Sequence, residues 1–421
     1  MLSIELIRND PDHVRRSLKN RGDLGDIDEI LDLDSKRRMM VQKGDDLRSH
    51  RNSVSKNIGT SGNKDPKLIQ EMREIGDQIK HIEQQTRDIG TRLNELLLAL
   101  PNLPIDTVPI GENEHSNTVV RTCGRITNSD FKQLPHWDLG EQLKIIDFKR
   151  GVKLSGSRFF VLKNKGARLQ RALIDWMLDL HSEKHGYQEV YLPNMVTRSS
   201  VIANSNLPKF ADTMYQDTED DLWLIPTAET ALTNLHRDEI LDPNALPLYY
   251  TAHTPCFRRE KAAAGKDTRG IKRVHQFEKV EMYKFVEPQH AEAELKKLIS
   301  DAEDICQQLE IPYRVIELCT GDLGFQSAKS FDIDMWAPGC SEWLEVSSCS
   351  TCTDFQARRA NIRYRPEEGS APTFVHTLNG SGLALPRVII AIIENFQQED
   401  GSVLIPNVIR PYTNFDIIES P

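Results

Sequence analysis

The chain has 421 residues, 38% of them hydrophobic and 28% charged, with a formal net charge of −10. Such a length favours two or three domains with a sizeable core, and the composition is that of an ordinary globular protein. The acidic balance argues against a protein that coats nucleic acid non-specifically, and no stretch approaches the ~20 apolar residues of a membrane span.

In chain order, residues 1–26 predict a short helix with Asp10 as N-cap, Pro11 at the first helical position and Gly22 past its end. The start of the chain has no long apolar run and gains acids early, unlike a signal or transit peptide, so a cytoplasmic location is expected. From 27 the pattern changes. Ile30, Leu33, Arg37, Met40, Gly44, Leu47, Arg51, Val54 and Ile58 alternate spacings of three and four. GTSGNKDP at 59–66 interrupts them with turn residues. Leu68, Met72, Ile75, Ile79, Ile82, Thr86, Ile89, Leu93, Leu96 and Leu100 then keep a cleaner heptad seam. Two such helices about a short break predict an antiparallel coiled-coil hairpin over about 27–100, its second helix ~50 Å long at ~1.5 Å per residue. Lys36, Arg37, Arg38, Lys43, Arg48, Arg51, Lys56 and Lys64 crowd the first helix and tip against Asp45 and Asp46. From the residues alone, a phosphate-contacting face and a solvated coiled-coil surface both remain open, as does a snorkelling role for Arg37 and Arg51 on the seam.

Three prolines in PNLPIDTVPIG (101–111) mark a linker. The boundary expected from them separates a helical arm, 1–105, from a larger domain, 106–421. Beyond it short β-rich runs lie between helices, an α+β composition. Residues 166–186 form an amphipathic helix with Leu169, Leu173, Trp176, Met177 and Leu180 on one face, and YQEVYLPNMV (187–196) follows as an extended run. HSEKH (181–185) lacks the glutamate directly after its first histidine that a zinc-protease motif needs. Gly265-Lys266 lacks the spacing and hydroxyl of a P-loop. DLWLIPTAETALTNLH (221–236) is a strand, a turn and a helix, and Thr227, Ala228 and Glu229 at that turn read locally as a capping arrangement.

The densest chemistry lies at 257–281, FRREKAAAGKDTRGIKRVHQFEKVE, a charged loop between two extended runs. Phe277 and Glu281 share a strand face, ~13 Å apart at ~3.3 Å per residue. With Arg258 and Glu260 at the loop entrance, these supply a cation for a phosphate, a carboxylate for an amine and an aromatic face for a base. Residues 291–310 are a surface helix, and IPYRVIELC, SFDIDMWA and WLEVSSCS read as further strands. Glu345 and Ser348, at a strand end, are a candidate magnesium or phosphate contact. PTFVHTLNGSGLALPRVIIAIIENFQ reads as a strand, a glycine turn and an apolar helix, with Arg387 as the cation of its first turns. Seven scattered cysteines imply no disulfide framework, and the lone CxxC of Cys349 and Cys352 reads as two reduced thiols, so no zinc is expected.

GKDTRGIKRVHQFEKVEM, PTAET at 226–230 and HTLNGSGLALPR at 376–387 resemble motifs of class II aminoacyl-tRNA synthetases, and the whole chain resembles the bacterial type of seryl-tRNA synthetase. That resemblance implies a fold for the larger domain of one antiparallel sheet flanked by helices. It implies ATP and Mg2+ as cofactors, L-serine, tRNA(Ser) and tRNA(Sec) as substrates, and a homodimer whose interface is the helix and strand of 166–196. It implies Arg258, Glu260 and Arg387 as catalytic residues. ATP would be held by Arg258, Arg259, Glu260, Val274, Phe277, Glu345, Val346, Ser347, Ser348 and Arg387, with Glu345 and Ser348 on the metal. Serine would be held by Thr227, Ala228, Glu229, Arg258, Glu281 and Ser381. The variable arm of the tRNA would meet Arg37, Arg38, Lys43, Arg48 and Arg51. The chain departs from the family pattern where ANSN (203–206) replaces a Gly-Thr-Gly, and where Lys261 and Ala262 replace Ala-Gly. Two other classes are weighed by the same residues. A ligase loading an amino acid onto a carrier protein would lack the heptads of 68–100. A non-catalytic coiled-coil interaction protein would have damaged Arg258, Glu260 or Arg387, and all three stand.

Overall fold

The structure, a computed structural model, describes residues 1–61, 66–126, 129–261 and 269–420. Its chain divides into two units, Met1–Pro101 and Asn102–Pro421. Residues 62–65 of the expected turn, with Lys64, lie outside the described residues, as do Ala262 and Gly265-Lys266.

In the first unit the Asp10 side chain accepts the His13 N–H at 3.0 Å and caps the helix Pro11–Asn20. A six-residue helix, Ile4–Asn9, precedes it, too short for a helical period to show. The long helices α1 (Ile27–Ser61) and α2 (Pro66–Ala99) pack on each other as a coiled-coil hairpin. On α2 the seam holds: Ile75, Ile79, Ile82, Leu93 and Leu96 are buried. On α1 it is broken. Ile30 and Gly44 are buried, but Arg37 and Arg51 are exposed. The inward position beside Arg37 goes instead to Asp34, only 4% exposed, which accepts from Arg8 at 2.8 and 3.1 Å. Helix α1 also runs on through Ser61, past the expected break at Gly59. Ion pairs Arg92–Glu29 (2.8 Å) and Arg48–Glu83 (2.9 Å) cross the hairpin between its antiparallel helices.

The second unit is built on an eight-stranded sheet. Its strands are β1 (Thr118–Cys123), β2 (Gln188–Glu189), β3 (Leu248–Phe257), β4 (Gln276–Val286), β5 (Tyr313–Glu317), β6 (Lys329–Ala337), β7 (Glu342–Thr353) and β8 (His376–Ala384). Their order is β1-β5-β6-β7-β8-β4-β3-β2. Every pairing is antiparallel except the short β2 against β3. Helices α3 (Asn164–Asp179), α4 (Ala291–Gln308) and α5 (Leu385–Asn395) contribute to its core: Leu169, Leu173 and Trp176 from α3, Leu295, Leu298 and Ile305 from α4, Val388, Ile389 and Ile392 from α5. Among the described residues no helix is long and apolar enough to cross a membrane.

Three local readings are corrected. The run 187–196 is not one strand: only Gln188 and Glu189 pair with β3, and Met195–Thr197 joins a separate three-stranded sheet. Pro193 between them has no N–H to give a ladder. The glycines of HTLNGSGLA do not make a turn; β8 runs through them. They sit where neighbours press on the strand, since a Cβ on Gly380 would meet Cys349 Sγ at 2.9 Å and one on Gly382 would collide with His181 Nε2. Glu345 and Ser348 lie inside β7, not at its end.

The departure at ANSN also has a physical shape. Ser205 is 2% exposed, holds φ at +85°, and its hydroxyl has no partner among the described residues. A side chain in that conformation is strained, and a buried unpaired hydroxyl adds to the cost. Glycine would relieve both while losing more entropy on folding. Ser205→Gly should therefore raise stability by ~1 kcal/mol, read as a higher thermal midpoint; a lower midpoint would contradict this account.

Candidate active site

The floor of the site follows from strand alternation on β4. Phe277, Lys279 and Glu281 share one face, and the pairing with β3 is regular from Gln276 opposite Phe257 to Phe285 opposite Leu248. Glu281 is fully buried, opposite Ser381 of β8. Its Oε2 accepts the Thr227 hydroxyl at 2.7 Å and pairs with the Lys279 ammonium, which itself donates to Thr227 Oγ1 at 2.8 Å. Glu281 Oε1 has no partner among the described residues. Lys279 escaped the sequence reading, although it lies midway between two singled-out positions of the same parity.

Glu229, 4% exposed, completes the floor. Its Oε1 accepts from Gln356 at 2.6 Å and Gln326 at 3.3 Å, and its Oε2 from Asn379 at 3.3 Å. The local capping reading holds only in part: Thr227 Oγ1 accepts the Glu229 N–H at 3.3 Å, but Ala228 is the N-cap of the helix Glu229–Leu232 and the Glu229 carboxylate turns to Gln356, Gln326 and Asn379. Burial, followed by the charge of Glu281, pushes the Glu229 carboxyl up to about 7.

Towards the other end, Arg258 donates to the Pro226 carbonyl at 3.2 Å and stands 5.3 Å from the centre of the Phe277 ring. Glu260 holds φ at +45°, and its carbonyl accepts from Arg158 at 2.7 Å. Such strain is found where a side chain must be aimed. Arg387, in the first turn of α5, donates to the Glu345 carbonyl at 2.7 Å and to its carboxylate at 3.2 Å.

These groups converge on one cavity of about 320 Å³. Thr227, Glu229 and Ser381 line one part, Arg258, Glu260, Val274 and Phe277 another, and Glu345, Val346, Ser348 and Arg387 a third. Four singled-out residues do not line it. Glu281 lies beneath the floor and Ala228 is buried behind it. Ser347 turns away, donating to the Ser381 carbonyl at 2.6 Å. Arg259 points elsewhere, stacking 4.5 Å from the Tyr215 ring and donating to the Met214 carbonyl at 2.7 Å. Lys272, Arg273, Gln326 and Asn379 line the cavity without having been singled out.

The third part can hold a hard cation. Residues three apart on a regular strand face opposite ways, yet Glu345 and Ser348 share the cavity wall. A bulge explains this: β6 pairs Ile333 with Ser347 but Asp334 with Glu345, leaving Val346 as the extra residue. Asp332, opposite Ser348, has a buried Oδ1 with no partner among the described residues. Burial and the neighbouring Glu345 charge drive its carboxyl well above the usual range. An all-oxygen set of two carboxyl groups and a hydroxyl fits a hard cation such as magnesium, whose charge would draw Asp332 into its ionised form.

The two histidines of HSEKH point to protein groups. His181 Nε2 lies 3.2 Å from the Gly382 carbonyl, His185 Nε2 lies 3.0 Å from Asp304, and their Nδ1 atoms are 2.9 Å apart. On the helical arm, Arg38 pairs with Asp34 at 3.2 Å, and Arg48 with Asp45 and Glu83 at 2.6 and 2.9 Å. Arg37, Lys43 and Arg51 are exposed, with no ion-pair partner among the described residues.

Comparison with known proteins accounts for both units. Residues 1–104 match the family described as the seryl-tRNA synthetase N-terminal domain. Residues 210–396 match the tRNA synthetase class II core domain (G, H, P, S and T). The chain is 57% identical over 414 residues to a serine--tRNA ligase of Thermomicrobium roseum, covering 98% of this chain and 93% of that one. Its fold matches a seryl-tRNA synthetase of Pyrococcus horikoshii, solved with ATP, at a TM-score of 0.95 and 40% identity, over 100% of both chains. It also matches a cytoplasmic serine-tRNA ligase of Naegleria fowleri, solved with AMP, at 0.89 and 31% identity, over 100% of this chain and 99% of that one. The chain belongs to the seryl-tRNA synthetase family.

Proposed function

We propose that the protein activates L-serine with ATP and transfers the seryl group to the 3′ end of tRNA(Ser), working as a cytoplasmic homodimer. The observation that carries this reading is the floor of the cavity. Glu281 Oε1 is a buried acceptor without a partner among the described residues, beside Thr227 and Ser381, and Glu229 is a second buried acid near it. A small ligand with an ammonium for Glu229, which lines the cavity, and a hydroxyl that reaches Glu281 Oε1 just beneath the floor would satisfy both. In the first step the serine carboxylate oxygen bonds to the α-phosphorus as the bond to the β-phosphate oxygen breaks and pyrophosphate leaves. Arg258 offsets charge on the α-phosphate, Phe277 stacks on adenine, Glu260 accepts from its amine, the backbone near Val274 holds its edge, and Arg387 meets the γ-phosphate. Magnesium, held by Glu345 and Ser348 with Asp332 beside them, would neutralise the triphosphate. In the second step the terminal 3′ adenosine hydroxyl attacks the acyl carbon and AMP leaves.

Residues 1–105 serve as the tRNA arm and 106–421 as the catalytic domain. The exposed Arg37, Lys43 and Arg51 support a phosphate-contacting face; Arg38 and Arg48 would have to leave acidic neighbours to join it. The dimer contact assigned to 166–196 rests on the family resemblance. A role for tRNA(Sec) rests on the family resemblance alone.

Three outcomes test the reading. Arg258→Ala should lower serine-dependent ATP–pyrophosphate exchange by at least ~10²-fold, the scale of one electrostatic donor; near-normal exchange would sink the assignment. Glu229, with its carboxyl near 7, is ionised above that pH and neutral below it. Serine kcat/KM should then fall towards ~tenfold per pH unit below 7, and Glu229→Gln should flatten that limb. An unchanged acid limb in this variant would exclude Glu229 as its source. Replacing Arg37, Lys43 and Arg51 by Gln should weaken tRNA charging and reduce the salt dependence of tRNA binding by ~0.7–0.9 for each phosphate no longer neutralised. Pyrophosphate exchange should stay unchanged, and full charging activity would leave the arm as scaffolding.

A further inference from the structure

His136 opens the short helix His136–Gln142 and is fully buried. Its Nε2 accepts the backbone N–H of Ile271 at 3.1 Å. An amide can only donate, so Nε2 holds the lone pair and the ring proton sits on Nδ1. That Nδ1–H faces Glu394 Oε1 at 2.9 Å. Glu394, fully buried in α5, also accepts the backbone N–H groups of His136 and Cys340, at 2.8 and 3.0 Å, and the Cys340 thiol at 3.0 Å. Burial keeps the ring neutral by drawing its pKa below the ordinary value, against the pull of Glu394. The ligand atoms of His136, Cys340 and Glu394 lie within 4.8 Å of one another, as a metal site would require. Yet the contacts between them are already filled by protons, and the remaining ring nitrogen is taken by Ile271.

What this cluster holds is the approach to β4. Gly270 passes so close that a Cβ there would collide with His136 Nε2. Arg269 stacks 4.5 Å from the Trp137 ring. The next residues, Lys272, Arg273 and Val274, line the cavity beside Phe277. The tie therefore runs from the helix that carries Arg387, through Glu394 and His136, to the backbone beside the base-stacking residue.

We propose that His136 is a positioning residue for the purine nucleotide: its neutral Nε2 fixes the Ile271 amide, and so sets the wall formed by Arg273 and Val274. This rests on the ATP subsite proposed above. Two substitutions separate the two nitrogens. His136→Asn keeps a donor near the place of Nδ1 and gives Ile271 no acceptor. His136→Gln brings an oxygen near the place of Nε2 and loses the donor to Glu394. His136→Asn should raise the KM for ATP in pyrophosphate exchange about tenfold, the scale of one buried bond removed, with the KM for serine within about twofold. His136→Gln should hold the KM for ATP near the wild-type value even where it lowers the thermal midpoint more. Equal changes in both constants, or a KM for ATP that tracks the midpoint across the two variants, would overturn the proposal. One zinc per purified chain, absent from His136→Asn, would overturn it as well. Absence of exchange in the wild type would instead contradict the proposed function, and direct titration of the same proteins with ATP would still decide the role of His136.

Discussion

The site depends on a carboxylate placed where water cannot reach it. Burying the Glu281 charge is expensive unless it is paired and hydrogen-bonded. Lys279 and Thr227 meet that demand on one oxygen and leave the other open. With the Glu229 carboxyl raised by its burial and then by the Glu281 charge, the floor has one ammonium for two acids. A site in this state is short of one cation and one donor, which in the function proposed the amino acid with its hydroxyl supplies. In the function proposed, the ligand is selected through this electrostatic deficit more than through shape.

Register delivers the remaining groups. The two irregularities that matter lie on the strands beside the floor. One, at Val346, turns Glu345 and Ser348 to the same wall; the other, between Ser381 and Ala384, separates the residue opposite Glu281 from the one opposite Lys279. A bulge adds one residue to one strand and re-aims its side chains without breaking the sheet. Regular pairing throughout would leave the candidate cation ligands on opposite faces.

Much of this is legible in the amino-acid sequence. The heptads of α2, the cap at Asp10 and the parity of Phe277 and Glu281 follow from period and residue type, which are local properties. The failures are of another kind. Arg37 and Arg51 fit a seam by spacing, but Asp34 is drawn inward by Arg8, a partner 26 positions away. The glycines of β8 look like a turn until Cys349 and His181 press against them. Thr227 keeps its local bond to the Glu229 N–H but gives its own proton to Glu281, and the Glu229 carboxylate, which a capping box would turn back on the chain, is claimed by Gln356 and Asn379. Lys279 is different, since its parity with Phe277 and Glu281 is itself a local signal. In each of the other cases a distant residue outweighs the local preference, which no window of sequence reports.

The central claim is that buried polar groups at the floor read the substrate hydroxyl. Its most direct test compares kcat/KM for serine and for alanine in pyrophosphate exchange by the unmodified protein. Alanine leaves Glu281 Oε1 unpaired, and a site built around such a bond discriminates by ~10⁴-fold or more. A preference for serine of ~10²-fold or less would show a pocket that senses size alone, and would contradict a floor that reads the hydroxyl.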